Sequence, residues 1–546
     1  MRPITLLLCS CTLLLSLAWS DEGHHHALTE QEIGSIHFPT SCAKDAATAF
    51  NHAVALLHSF QYEDSRHVFE TVSSQDPACA MAYWGIAMSH YHGLWRNGDV
   101  AAGREAWQRA HEIAESAASP DRKTSPREIA YIEALGEIYR PEDPKNEGDD
   151  FARAQAYEQK LASLAAAYPD ESEAAIFHAL ALYVSAPKTD KTFSHQRECG
   201  EILEPIFQKQ PHHPGVAHYL IHCYDNPVLA EQGLVAARAY AKIAPASAHA
   251  NHMPSHIFTR VGSWDESIHS NQKSANLAAQ AETASKNGEA RDQRLHALDY
   301  LEYAYLQGGQ IRNAKAVLEA MNALPPVAGL TLTGNYALAA IPARYSMERA
   351  QWKEASLLRP LREGVPWSQA ISWLAIGVGS ARSHQLDQAA LAEEKLATLR
   401  DAAKPTSPYW SSQIEVQRRE VAAWIAEGCG KHEDAVAQAR SAADLEESMD
   451  KDAVTPGAIT PAREMLAELL LAGTQAKEAL AEYQAVLKIS PKRFNAVYGA
   501  ARAADASGNP ALAERYFHEL LEISVGDERP ELAEARKKTG ARTPAK

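Results

Sequence analysis

Six prolines set the frame for this chain, because counting back from each by five, three and four residues meets apolar or small side chains every time. Pro77 follows Val72, Phe69 and Ser65 in this way, Pro169 follows Leu164, Leu161 and Tyr157, and Pro211 follows Ile206, Leu203 and Cys199. Pro245 follows Tyr240, Ala237 and Gly233; Pro326 follows Met321, Leu318 and Ala314; Pro491 follows Val486, Tyr483 and Ala479. Steps of three and four keep such residues on one stripe of a helix, and the proline beyond them, which has no N–H, stops it. A second stripe precedes several of these: Ala53 and Leu56 before Tyr62, Leu301 and Tyr305 before Gly309, and Leu466, Ala467 and Leu470 before Gly473. The unit is therefore a helical hairpin. One hairpin cannot bury its own stripe, so the units must stack, and stacking predicts an elongated all-α chain.

This pattern resembles the tetratricopeptide-repeat (TPR) family, in which small and apolar residues ending in proline recur about every 34 residues. The resemblance covers residues 45–525 and is degenerate near 80–150 and 360–450. It implies a TPR-type α-solenoid of antiparallel helix pairs. The strings FNHAVALLHSF (50–60), DPACAMAYWG (76–85), HYLIH (218–222), HMPSHIF (252–258), PAREMLAELL (461–470) and YGAARAA (498–504) resemble those of a group of exported bacterial TPR proteins. That likeness implies a fold and no reaction.

Arg2, an apolar run from Ile4 to Leu17, and small residues at Ala18 and Ser20 read as a signal peptide cut after Ser20. A lipoprotein reading would use Cys9 or Cys11, but Leu8 and Ser10 make a poor lipobox. The expected compartment is periplasmic or secreted. Segments follow as 1–20 signal peptide, 21–40 N-terminal tail, 41–140 N-terminal TPR-like helices, 151–326 histidine-rich TPR segment, 327–450 degenerate helices, 451–525 C-terminal repeats and 526–546 a frayed tail. Pro141–Asp150 and Leu324–Gly329 read as breaks between helices. No later stretch is apolar enough to span a membrane. Net charge is −16 with no sustained basic run, which argues against nucleic acid as a partner. Five cysteines remain after cleavage without a CxxC pair. Cys42 and Cys79 lie near the starts of successive first helices, where stacking favours a disulfide; two buried thiols are the alternative.

Histidine supplies the chemistry. His218 and His222 are four apart, so they share one helix face; His252 and His256 repeat the pair 34 residues later, in the same slots of the next repeat. The proline register puts His178 in the equivalent slot one repeat earlier and Asp299 and Tyr303 in the two slots one repeat later. His249 and His296 lie one turn nearer their helix starts. In TPR proteins these slots face the concave groove. Three readings stay open: His218, His222, His252 and His256 bind a transition metal such as zinc or copper, with His249 or Asp299 assisting. Alternatively, the imidazoles hydrogen-bond a protein, peptide or small-molecule ligand, or are packed residues satisfied by neighbouring carbonyls.

Binding is the favoured function, and a metal-dependent hydrolase with Asp299 or Asp225 as general base is the enzymatic alternative. His24–His26, His58 and His90 are weaker candidates, and Tyr83 and Trp84 read as packing aromatics. No GxSxG, HExxH or phosphate-cradling loop is present.

Overall fold

Each proline does stop a helix. In the computed structural model, which describes residues 28–95, 98–116, 123–140, 150–285, 288–327, 330–361 and 364–541, second helices end at Gln75, Ala167, Lys209, Ile243 and Ile489, two residues before Pro77, Pro169, Pro211, Pro245 and Pro491. The sixth ends at Asn322, four residues before Pro326. Antiparallel partners precede them, among them Ala47–His58 with Tyr62–Gln75, Pro214–Tyr224 with Leu234–Ile243, Gly288–Gln307 with Ile311–Asn322, and Ala462–Ala472 with Ala476–Ile489. No strand occurs among the described residues. The fold is an all-α, TPR-type solenoid, and helical hairpins also fill the two degenerate stretches, as in Pro366–Arg382 with Leu386–Ala403.

The stripes drive the stacking. Phe69, Val72, Leu161, Leu203, Tyr240 and Ala479 are all 0% exposed, and burying each large apolar side chain is worth about 1.5–3 kcal/mol. The helices approach closely through a repeated device. A methyl added at Gly85 would lie 2.4 Å from the Phe69 ring, and one at Gly499 would lie 2.2 Å from the Tyr483 ring. Each aromatic stands sixteen residues before its glycine, so the second helix of one repeat seats its ring on the bare backbone of the next.

Three expectations need correction. The solenoid is not simply elongated, because its C-terminal repeats coil back onto the middle: Trp264 donates its indole N–H to Lys492 O (3.1 Å), Phe494 N donates to Gln307 Oε1 (2.9 Å), and Val525 N donates to Gly308 O (2.9 Å). Buried Arg493 adds ion pairs to Glu348 and Glu464, each at 2.7 Å. The described part of the N-terminal segment is no tail either. Ile33, Ile36 and Phe38 are buried, and Ser35 N and Glu32 O bond the repeats at His212 O (3.1 Å) and Ala246 N (3.2 Å). The C-terminal segment carries a docked helix, Glu531–Thr539, because Leu532 and Ala535, one turn apart in a charged run, both bury completely. The proposed signal peptide, His24–His26 and most of the Pro141–Asp150 break lie outside the described residues.

The proposed Cys42–Cys79 bond is formed, and a second joins Cys199 to Cys223, leaving Cys429 free and exposed. Between the helices His432–Glu447 and Ala462–Ala472 runs an irregular strap, residues 448–461. It crosses to distant repeats: Asp450 N bonds Lys188 O (3.0 Å), the Tyr300 hydroxyl bonds Ala453 O (3.2 Å) and Thr455 O (3.0 Å), and Lys451 reaches Asp225 (3.0 Å). The segment boundary placed at 451 falls inside this strap.

Candidate metal centre

The strap lies over the histidine-bearing helices, so the groove expected to expose these side chains encloses them. His218, His222, His252 and His256 are 0–2% exposed, His296 4% and His249 6%. The two HxxxH pairs do not meet as one set of four. They divide into two triads, His218–His222–His249 and His252–His256–His296, in each of which the ring nitrogens lie within 4.8 Å of one another. His249 and His296, read from sequence as groove residues one turn away, complete them. The triads adjoin, with His222 and His256 rings 6.3 Å apart and His249 and His252 rings also 6.3 Å apart.

Local sequence explains the placement. Pro214 opens the first helix at its N1 position, where its missing N–H costs nothing, and projects His218 and His222 from one face. The next first helix is broken: Ala248–His252 stops at Met253, and Pro254 starts a new turn, Pro254–Arg260. Met253 itself keeps a helical backbone (φ −52°, ψ −37°), and from this segment His249 meets His218 (3.0 Å) while His252 and His256 lie beside His296 of the Gly288–Gln307 helix.

Hydrogen bonds at the far side of the rings set the tautomers. His218 Nδ1 lies 2.6 Å from the His58 carbonyl, which only accepts, so Nδ1 carries the proton and Nε2 is bare. His252 Nδ1 lies 2.7 Å from Asn271 Oδ1, and the Asn271 amide donates to Ser267 O (2.8 Å); Nδ1 is again the donor. His256 Nδ1 donates to the Asp225 carboxylate at 2.9 Å. Although burial works against the ionised form, Lys451, Arg260 and His256 together hold the Asp225 carboxyl well below the usual carboxylate range. Two bare nitrogens, His252 Nε2 and His256 Nε2, therefore face each other at 3.0 Å. His218 Nε2 faces both His222 Nε2 (3.1 Å) and His249 Nε2 (3.0 Å), and its one lone pair can accept from only one of them. His222 Nδ1 and both ring nitrogens of His296 are buried without a hydrogen-bond partner among the described residues. Protonating a ring would relieve a contact, but burial, joined by crowding from neighbouring imidazoles, pushes His218, His222, His249, His252 and His296 well below the ordinary histidine value. Burial also lowers His256, despite its bond to Asp225.

This donor set suits a transition metal. Nitrogens about 2.1 Å from a tetrahedral ion stand roughly 3.4 Å apart, close to the spacings here. A histidine ligand commonly donates its other ring N–H to a carbonyl, amide or carboxylate, the roles taken by His58 O, Asn271 and Asp225. A cavity of about 190 Å³ touches both triads through His249, His252 and His296, with Phe60, Tyr62 and Trp95 also on its wall.

The remaining candidates fall elsewhere. His178 bonds Glu158 (2.9 Å) and stands outside both triads. Asp299 is fully buried and paired with Arg344, and Tyr303 lies beside Arg493 (3.4 Å), so neither joins the histidines. Asp225 and Asp299 are both committed to cations, which removes them as free general bases. His58 belongs to a third buried group with Glu173 and His213. There Glu173 accepts from His58 Nε2 (2.9 Å) and His213 Nε2 (2.8 Å), while His58 Nδ1 meets the Tyr219 hydroxyl (2.9 Å) and His213 Nδ1 accepts from Val216 N (3.3 Å). Every ring nitrogen in that group has a protein partner, so it is a structural network. Trp84 is core, as its packing role required. Asn271 was not singled out in the sequence; its signal is faint, one of four polar residues, with Ser267, Ser270 and Ser274, that the Trp264–Ser285 helix buries among the described residues.

No family model matches the chain, and no curated protein does. Among solved structures it is similar to a human IFIT1 dimer with PPP-AAAA, at 12% identity and TM-score 0.37 over 87% of this chain and 90% of that one. It is also similar to yeast Tom70, at 13% identity and TM-score 0.30 over 91% and 96%.

Proposed function

We propose that this chain is an exported transition-metal-binding protein, its two histidine triads each holding one zinc or copper ion inside a TPR-type scaffold. The observation that carries the reading is the pair of bare nitrogens, His252 Nε2 and His256 Nε2, at 3.0 Å. Two lone pairs at that distance repel, and a cation bound by both reverses the sign of the interaction. The unpartnered ring nitrogens of His296 support it independently, since leaving a buried nitrogen unbonded costs about 1–3 kcal/mol and an ion would satisfy one of them. The residues named are three neutral imidazoles per ion, a donor set that suits zinc and copper and leaves a coordination position free. A cavity touches both triads through His249, His252 and His296, which favours a small exogenous ligand there and keeps metal-dependent hydrolysis as the second reading.

The test is elemental analysis of natively purified protein, followed by zinc titration of chelator-stripped protein beside His222→Ala and His256→Ala. Two equivalents per chain in the wild type are expected, with one lost in each variant and the helical spectrum retained. Weak binding, equal in all three proteins, would refute it and return the histidines to a packing or hydrogen-bonding role.

A further inference from the structure

A second cavity, of about 450 Å³, lies on the other side of the strap, within the size range of small-molecule sites. Its wall draws on the strap and on the helix Pro408–Gly428, which contributes Tyr409 and Val416 beside Trp410, Gln413, Gln417 and Glu420. Spacings of three, four and three keep the last four on one face. A helix face turned to a core is apolar; this one sets three polar side chains among Tyr409, Trp410 and Val416.

The polar atoms on that face are unsatisfied in a one-sided way. Glu420 is 2% exposed, and both Glu420 Oε1 and Gln417 Oε1 are buried acceptors without a hydrogen-bond partner among the described residues. Glu446, which also lines the cavity, accepts only Ala462 N (2.9 Å) among the described residues. The cations of the wall are already committed. Arg260 and Lys451 pair with Asp225, Arg463 pairs with Glu447 and Glu482, and Lys191 donates to Met449 O (2.6 Å). Neither Glu420 nor Glu446 has an ion-pair partner among the described residues. What the cavity lacks is therefore a positive charge that carries N–H donors. Tyr303, Tyr336, Tyr409 and Trp410 supply aromatic surface for the rest of a ligand, and such faces attract cations.

We propose that this cavity is a binding site for a small organic ammonium ion, whose N–H groups bond Glu420 and Gln417 while the aromatic wall holds its apolar body. The two carboxyls are prepared for it: burial, with the charge of Glu446, holds Glu420 well above the usual range, and burial is the main cause that raises Glu446 to about 7. An arriving cation displaces the proton that such a pair retains. The inference is independent of the histidine triads.

The test is isothermal titration calorimetry of the full chain, chelator-stripped and zinc-loaded, with 2-phenylethylammonium, 2-phenylethanol and 3-phenylpropionate as probes. The ammonium ion is expected to bind once per chain and at least tenfold tighter than the alcohol in both preparations, with the carboxylate giving no saturable heat. Glu420→Gln and Gln417→Leu should each weaken it tenfold or more at an unchanged circular dichroism spectrum; should the first variant not fold, the second decides. Absence of saturable ammonium binding to folded wild type overturns the proposal, as does equal affinity for the alcohol or undiminished binding by the folded variants. Because the stripped protein is one of the samples, failure here is distinct from failure of the metal reading.

Discussion

Replacing His296 with leucine should have opposite consequences with and without metal. In the stripped protein both His296 ring nitrogens are buried and unbonded, one as a donor and one as an acceptor. Each such atom costs about 1–3 kcal/mol, and leucine is of similar size and asks for no partner. Discounting part of that relief for the imperfect fit of a branched chain where a planar ring stood, the stripped variant should be more stable than wild type by about 1–3 kcal/mol. With zinc the balance changes. At a free concentration a hundred times the dissociation constant, each occupied triad stabilises the folded chain by about 2.7 kcal/mol, and the variant forfeits this at His252 and His256. Zinc should therefore shift the difference by about that amount toward wild type, closing or reversing the order. Thermal melts of both proteins, stripped and zinc-saturated, read this directly, with metal content measured on the same samples. A variant less stable than wild type when stripped, and stabilised by zinc as much as wild type, would show that His296 is satisfied in the core and is no ligand.

The triads also predict a pH dependence. Their folded values lie below the ordinary histidine value of about 6.5, so the unfolded chain takes up protons first, and stability should fall as pH drops below about 6.5, with no loss between 7 and 8 from these groups. For the same reason zinc affinity of the folded chain should hold down to that value and weaken only below it; denaturation and titration series from pH 8 to 5 test both, and a loss of affinity already complete at pH 7 would contradict the burial argument. The two disulfides close spans of 37 and 24 residues, each worth about 3–4 kcal/mol on chain-entropy grounds. Non-reducing peptide mapping should recover both linked pairs with Cys429 alkylated, and reduction should lower the melting midpoint; ready alkylation of Cys199 or Cys223 in the folded protein would count against the second bond.

The repeat architecture was legible because it rests on local rules. A proline just beyond such a stripe ends its helix, and a stripe at spacings of three and four turns to a neighbouring helix, so Phe69, Leu161 and Tyr240 are core as their spacing required. The matched pairs His218/His222 and His252/His256 were legible for the same reason, since one repeat period returns a side chain to the same slot. How they combine was not. The partition into two triads depends on which neighbouring helix each ring meets: His249 reaches His218 on the helix before, and His296 arrives from the next first helix. Proline stopping the second helices was readable as a terminator, whereas Pro254 acts inside a first helix, where the outcome depends on what the freed turn packs against. Burial was equally hidden. The strap 448–461 carries no periodicity, yet Lys451 and Ala453 close over residues some 150 to 230 positions earlier, turning an open groove into an enclosed site. Asp299 kept its slot but lost its expected role because Arg344, 45 residues on, reaches it first. Sequence spacing determines which face of a helix a residue occupies; only the coiling of the solenoid decides which distant charge stands opposite, because that depends on small angles summed over many repeats.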